Sequence, residues 1–579
     1  MTNRQRMTAG LFTVPLLAFN SVLCGAQAPE LRFDHNHTYA EVVEYLRQVV
    51  RAYPGITRLH TIGQSFEGRD LLVLEVTNQS TGDALDKPGF WMDGNLHASE
   101  VMGAEVCLKN IDVLVRQYGN DPFVTNLVDT RAIYIMPKLN PDGSDHYLTK
   151  PDGMRSSVRP HDTDRDGAFD EDPPEDLDGD GNILQMRVRD VTGPMKTSPD
   201  DPRLMVRAEP GEPGEWRVYS EGIDNDNDGR FNEDGVGGLD INRNWPGQWQ
   251  QEHIQRGAGP YPLSEPETRA VADFLLSHPN VTGLINHHMA GNFVYRPPTA
   301  LHLDPVTGEE QPMAPADEAV FTFFGNKYSE ILYDQRVTTV YGRSGPPRHG
   351  AIWGVMIGWA YDHYGVFSWV PEMGSYAPFA DYDDDGDATQ VERLQWNDTE
   401  MDGRIFVDWT PYDHPQLGQV EIGGFVSKLY DPDRGSYTAV MCTPGSIFDE
   451  FLQKHAEWNL WMASMSPYVQ VTELTMTQEE AGYARITAKV QNQGYLPTNV
   501  TEQAIRNETA KRVTVSISLE GAELVFGDQI VDLGHLAGNR AAPVTAQWMI
   551  RVSGTREPTV VVTAVSEKGG THSRSLAPR

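Results

Sequence analysis

Asp93-Gly94-Asn95-Leu96-His97-Ala98-Ser99-Glu100 is the stretch whose reading decides the fold. It follows an apolar, strand-like run (Phe90, Trp91, Met92) and leads into a helical pattern from Val101 to Tyr118. A His and a Glu three residues apart at a strand end can turn toward one point. An imidazole nitrogen and a carboxylate are what a catalytic zinc takes from protein. The same spacing also arises by chance, as two polar residues on a solvated first turn. A third ligand, a proton acceptor and anion-binding groups elsewhere in the chain separate the two readings.

Outward from this stretch the elements alternate. Thr38-Tyr39-Ala40-Glu41 is a capping box, and Val42, Val43, Leu46, Val49, Val50 and Tyr53 follow at helical spacing. Strands are predicted at Leu71–Val76 and Arg131–Met136, on either side of the helix that follows Glu100. Such alternation predicts an α/β domain with a largely parallel sheet and its site at the carboxyl ends of strands. From about residue 145 to 235 regular patterning stops and Asp, Gly and Pro dominate, the mark of a functional insertion or of disorder. Core patterning resumes at Leu239-Asp240-Ile241-Asn242-Arg243-Asn244. A helix is capped by Ser264-Glu265-Pro266-Glu267, and a strand from Val281 runs into His287-His288. Another strand, Gly365–Val370, precedes Pro371-Glu372. Beyond residue 467, alternating segments separated by Gly, Asn and Pro predict a β-sandwich. It holds no cluster of ligand residues, so structure, anchoring or substrate presentation is its expected role.

A chain of 579 residues exceeds one hydrophobic core. Arg4 and Arg6 before the apolar run Leu11–Leu17 predict a secretory signal over residues 1–26, cleaved after Ala26. Export then leaves Cys107 and Cys442, enough for one disulfide but not a disulfide framework. The formal charge of −35 argues against nucleic acid or anionic lipid as partner. No later apolar run is long enough to span a bilayer.

Several of these segments together resemble the zinc carboxypeptidases of the carboxypeptidase A/B type. The landmarks are Tyr53-Pro54, Gly63-Gln64-Ser65-Phe66-Glu67-Gly68-Arg69, His97-Ala98-Ser99-Glu100, Asn140-Pro141-Asp142-Gly143, Asp240-Ile241-Asn242-Arg243-Asn244, a strand-borne His and a late Glu. The resemblance covers residues 35–467 and implies a three-layer α/β/α sandwich with a mixed sheet and one zinc. His97 and Glu100 would be ligands, and His288 the third, because Pro297 lies nine residues after it, as in the family. His287 would face the other side of the strand. Asp240 would accept from His97. Glu372, 13 residues after Trp359, would be the general base. Peptide C-termini are then the expected substrates. Arg243 and Asn242 would take the terminal carboxylate, and Arg187, preferred over Arg189, would stabilise the oxyanion. Tyr341 would close over substrate, Arg69 would line an outer subsite, and Ile357 would select an apolar or aromatic C-terminal residue. The rival expectations are the same chemistry on cell-wall peptides or another amide, and an inactive calcium-dependent binding protein on this fold.

The acids are clustered: residues 160–240 hold 23 Asp and Glu against eight Lys and Arg. Asp381, Asp383, Asp385, Asp387, Gly386 and Glu392 fit a twelve-residue calcium loop. Three further D-x-D-x-D-G runs start at Asp162, Asp176 and Asp224 and lack the final Glu, with Asp170, Asp172, Asn232 or Asp234 nearby as substitutes. Zinc and structural calcium are the expected cofactors.

Overall fold

The computed structural model describes residues 29–576 except 290, 302–306, 333–334, 340–350, 375–379, 384–387, 443–445, 481 and 554–556. The predicted signal segment lies outside these residues. The chain begins with α1 (Tyr39–Ala52), closed at its start by the expected capping box between Thr38 and Glu41. Strands β1 (Thr57–Gln64), β2 (Asp70–Val76), β3 (Gly89–Gly94) and β4 (Ala132–Met136) follow, with α2 (Met102–Gln117) and α3 (Pro122–Thr130) between the last two. After α4 (Pro141–Thr149) the acidic segment contributes β5 (Gln185–Arg189), β6 (Met195–Thr197), β7 (Met205–Arg207) and β8 (Trp216–Ser220). The chain then returns through α5 (Pro266–Ser277), β9 (Val281–Met289), β10 (Phe293–Arg296), α6 (Pro315–Ile331), β11 (Arg336–Thr339), α7 (Met356–Trp359) and β12 (Phe367–Met373).

The central sheet runs β1-β2-β4-β3-β9-β12-β10-β11. β4, β3, β9 and β12 are mutually parallel, whereas β1-β2, β2-β4 and β10-β12 pair antiparallel, so the sheet is mixed. Alternation along each strand divides the core in two. Leu72, Leu74, Phe90, Met92, Ile133 and Ile135 face a layer built from α1, α2, α3, α6 and the helix Ser446–Ser464. Leu71, Val73, Trp91, Tyr134 and Met136 face the other layer, where Val271, Phe274 and Leu275 of α5 pack with Trp245 and Trp359. Burial on both faces is why β3 and β9 read as nearly continuous apolar runs.

The acidic segment is not a structureless insertion. Its four strands join β13 (Phe406–His414) and β14 (Gly418–Phe425) in a six-stranded antiparallel sheet of order β13-β14-β5-β8-β6-β7. Strands of three to five residues are too short to display a period, and their partners come from far along the chain.

Beyond Pro467, two four-stranded antiparallel sheets enclose Val471, Ile486, Val515, Trp548 and Val562, as the alternation predicts. This unit is bolted to the rest. Lys568, 6% exposed, donates 2.7 Å to the carbonyl of Val281 at the start of β9. Asp317 of α6 accepts from the backbone N–H of Glu502 at 2.8 Å and of Gln503 at 3.2 Å. Leu496 and Val500 belong to the same apolar cluster as Phe324.

These contacts make stability a shared property. Lys568→Ala strands a buried carbonyl, a loss of about 1–3 kcal/mol, and should lower the melting temperature by several degrees. A chain ending at Pro467 should melt lower still, because Leu496 and Val500 no longer cover the α6 layer. Thermal melts of both against the full chain check this. Unchanged melting would show that the sandwich and the central sheet are stabilised separately.

Candidate metal centre

Three adjacent strands end at one point. β3 runs into the turn bearing His97 and Glu100, β9 carries His288, and β12 carries Glu372, which is the register partner of His288. The turn after β3 is locked by Asn95, whose Nδ2 donates to the carbonyls of His97 (2.8 Å) and Ala98 (2.9 Å). It also needs two glycines. A Cβ on Gly94 would stand 2.3 Å from the Gly103 carbonyl carbon, and one on Gly103 would stand 2.8 Å from the His287 carbonyl oxygen. Their absence lets the start of α2 lie against the strand ends and brings Glu100 to the site.

His97 Nδ1 lies 2.8 Å from Glu100 Oε1, His288 Nδ1 lies 2.7 Å from Glu100 Oε2, and the two Nδ1 atoms are 3.0 Å apart. All three residues are buried. Each ring is held through its other nitrogen: His97 Nε2 lies 3.0 Å from Asp240 Oδ1, and His288 Nε2 lies 2.6 Å from Asn286 Oδ1. An oxygen behind each ring favours a proton on Nε2, which leaves Nδ1 as the nitrogen that can face a cation. That donor set, two imidazoles and a carboxylate on one point, fits zinc. Burial alone would raise the Glu100 carboxyl, but His97 and His288 hold it well below the usual range.

Burial and then the Glu100 charge push Glu372 up to about 8, against the pull of His97, Arg155 and Arg243. Arg155 was missed by sequence reasoning. Its Nη1 donates 2.9 Å to Glu100 Oε1, its Nη2 is 3.0 Å from His97 Nε2, and its Nε is 3.4 Å from Asp240 Oδ2. The side chain is nevertheless 52% exposed, so it can meet an incoming ligand. Main-chain bonds from the Ala98 N–H to the Arg155 carbonyl (2.9 Å) and from the Ser157 N–H to the Leu239 carbonyl (3.0 Å) thread its loop through the site. The sequence signal for it is Gly153-Met154-Arg155-Ser156, just inside the acidic segment.

Asp240 caps the turn Ile241–Arg243. Burial would raise its carboxyl, but Arg243 and His97 hold it well below the usual range. Arg243 Nη1 donates 2.7 Å to the Asn242 carbonyl and stays 3.8 Å from Asp240 Oδ2. The Asn242 carboxamide accepts from Met356 N at 3.0 Å and lies 3.4 Å from His288 Nε2. His287, on the opposite face, lies 2.7 Å through Nδ1 from the Asp93 carbonyl and 2.9 Å through Nε2 from Asn459 Nδ2.

The zinc carboxypeptidase family profile matches residues 42–187 and 207–380, more than half of the chain. The chain belongs to the zinc carboxypeptidase family. Residues 468–577 match a family described only as a domain of unknown function. Human carboxypeptidase D is 35% identical over 140 residues, 24% of this chain and 10% of that protein. Mouse carboxypeptidase M is 39% identical over 127 residues, 22% of this chain and 28% of that protein. The chain thus spans about a tenth of the first and about a quarter of the second. A solved carboxypeptidase A from Helicoverpa armigera aligns at 16% identity and a TM-score of 0.41 over 75% of each chain. Among the described residues, no helix is long and apolar enough to cross a membrane.

Other expected site residues lie elsewhere. Arg187 sits in β5 with its guanidinium between the rings of Trp216 (4.5 Å) and Trp409 (4.3 Å), paired to Glu421 at 2.6 Å. A cation stacked and paired in that way is a structural rung of the second sheet. Arg189 likewise pairs with Glu215. Arg69 is engaged by Glu67, by Asp142 at 2.7 Å and by Asp145 at 3.6 Å, and so ties the β1–β2 turn to α4. Ile357 is fully buried in the cluster of Ile241, Trp245 and Trp359 and offers no exposed surface to a substrate side chain. Tyr341, Asp385 and Asp387 lie outside the described residues. Cys107 and Cys442 are buried and unpaired, so the one disulfide the sequence allowed does not form.

The acidic runs at Asp162, Asp176 and Asp224 share one conformation. Asp162 accepts from the N–H of Arg165 and Gly167, Asp176 from Gly179 and Gly181, and Asp224 from Asp228 and Gly229. The first and third clamp each other. Asp234 accepts from Thr163 and Asp170, while Asp172 accepts from Asn225 and Asn232. Glu221 holds Leu177 and Leu184 in the same way for the second run. Carboxylates of Asp164, Glu171 and Asp234 gather within 4.8 Å, as do those of Asp162, Asp164 and Asp166. Glu392, expected as the last ligand of the fourth run, accepts from Tyr382 N (2.8 Å) and Thr389 N (2.9 Å), and the latter closes the capping box of the helix Gln390–Thr399.

The geometry separates the adjacent histidines. His288→Ala should lose zinc, and His287→Ala should retain it while melting lower. Metal content of the purified variants checks this, and the reverse result would reassign the ligand.

Proposed function

We propose that this chain is an exported zinc metallocarboxypeptidase that hydrolyses the C-terminal bond of peptides. The observation that carries the reading is the convergence of His97 Nδ1, His288 Nδ1 and the Glu100 carboxylate, each ring fixed behind by Asp240 or Asn286, with Glu372 and Arg155 beside them. Bound there, zinc supplies Lewis acidity toward water and the scissile carbonyl. Glu372 takes the proton of the attacking water and delivers it to the leaving amine. Arg155, half exposed at the rim, supplies positive charge where the carbonyl oxygen becomes anionic. Arg243 offers its planar fork to the substrate's terminal carboxylate. The N-terminal basic and apolar run supports export.

Glu372→Gln should keep its zinc and lose about a hundredfold or more in kcat on a hippuryl dipeptide. Arg155→Ala should lose about 100- to 1000-fold, the scale of a removed oxyanion donor. Retention of near wild-type kcat by either variant removes that residue from the chemistry. An unchelated, zinc-loaded wild type that leaves every C-terminal peptide intact would overturn the activity itself.

The three acidic runs are proposed to bind calcium, with Asp234, Asp172 and Glu221 supplying the outer acids. Burial pushes the Glu221 carboxyl up to about 7. A carboxyl raised above its unfolded value favours the folded state at low pH, and that contribution is lost as pH rises toward 7. Without calcium, the melting temperature should therefore fall between pH 5 and 7.5. Millimolar calcium should raise it, most at the higher pH. Equal melts with EGTA and with calcium at pH 7.5, zinc held constant, would leave the runs as solvated acid.

A further inference from the structure

The two imidazoles of the site are held from behind by different devices. His97 leans on the carboxylate of Asp240, whereas His288 leans on an amide that is itself held. Trp91 Nε1 donates 2.6 Å to Asp93 Oδ2, Asn286 Nδ2 donates to Asp93 Oδ1, and Asn286 Oδ1 lies 2.6 Å from His288 Nε2. Asp93 and Asn286 are register partners on the parallel strands β3 and β9. Trp91 and Asp93 are two residues apart, as are Asn286 and His288, so the line crosses the sheet on one face. None of the four is more than 1% exposed.

Resting on the zinc reading of the site, we infer that Asp93 and Asn286 form a positioning relay that sets the tautomer of His288. An amide can face an imidazole with either its oxygen or its nitrogen. Both oxygens of Asp93 are acceptors here, one for Trp91 and one for Asn286, which turns the Asn286 nitrogen toward Asp93 and its oxygen toward His288. The ring proton of His288 is then kept on Nε2, and the Nδ1 lone pair faces Glu100 and His97. Two competing groups favour the other tautomer, the nearer being Glu100, whose Oε2 lies 2.7 Å from His288 Nδ1. Asn242 Nδ2 lies 3.4 Å from His288 Nε2, and the Asn242 oxygen is already taken by Met356 N. Without Asn286, a donor faces Nε2 and a carboxylate faces Nδ1, and the proton moves to Nδ1, the atom a metal needs.

The test uses the full chain stripped of zinc by chelator, in wild-type, Asn286→Ala, Asp93→Asn and doubly substituted forms. Histidine ¹⁵N spectra of the metal-free protein report the His288 tautomer, and competition with a chromogenic chelator reports zinc affinity. Wild type should carry the Nε2–H form. Asn286→Ala should shift to Nδ1–H and bind zinc about 10–100-fold more weakly, the usual scale for a group behind a metal-bound histidine. Asp93→Asn should show a smaller loss. The double variant should be no weaker than Asn286→Ala by more than about twofold, because Asp93 acts only through Asn286. A folded Asn286→Ala with wild-type tautomer and affinity, or additive losses in the double variant, overturns the relay. Should Asn286→Ala not fold, unchanged tautomer and affinity in Asp93→Asn overturn it alone. A wild-type chain that binds no zinc overturns the metal reading instead.

Discussion

Two ring nitrogens, of His97 and His288, stand 3.0 Å apart at the carboxyl ends of the neighbouring central strands β3 and β9, with both rings buried. The far nitrogen of each ring meets an oxygen, of Asp240 or Asn286, and the near nitrogens share the buried Glu100 carboxylate. Unpaired, such a group would be costly in a low-dielectric interior. The fold is arranged to hold it. Parallel strands β3, β9 and β12, apolar on both faces, fix the spacing of their carboxyl ends. The contact between Gly94 and Gly103 brings α2 close enough for Glu100 to reach both rings. Two imidazole nitrogens and a carboxylate gathered on one buried point form a donor set that fits a cation.

What was legible in the sequence was what local geometry decides. His97, Glu100, His288 and Glu372 each sit at a strand end, where alternation and a turn determine direction, and the structure brings all four together. His287 was separable from His288 by the same alternation. Arg155 was not legible because its place is set by main-chain bonds to Ala98 and Leu239, from segments far apart in the chain. Arg187 misled for the complementary reason. An arginine next to an acidic region looks available, and only the fold shows it stacked between Trp216 and Trp409.

The acidic segment illustrates the same limit at larger scale. Its D-x-D-x-D-G runs were readable, as was the missing last ligand of each. The reciprocity was not. Asp234 serves the run at Asp162 and Asp172 serves the run at Asp224, joined where Asp172 and Asp234 bridge. Each run therefore supplies the acid that the other lacks. This arrangement draws the carboxylates of Asp164, Glu171 and Asp234 within 4.8 Å of one another.

The placement of the C-terminal sandwich follows from the direction of β9. Lys568 grips the carbonyl of Val281 at the amino end of that strand, and His288 lies near its carboxyl end. Val281 and His288 are seven residues apart on this strand, about 23 Å at roughly 3.3 Å each. At that distance Lys568 adds no group to the site, yet it anchors the central strand that carries His288. Its cover over the α6 layer makes it part of the core through Leu496 and Val500. A domain without ligand residues of its own can thus be required for the order of the centre while standing a full strand away from the chemistry.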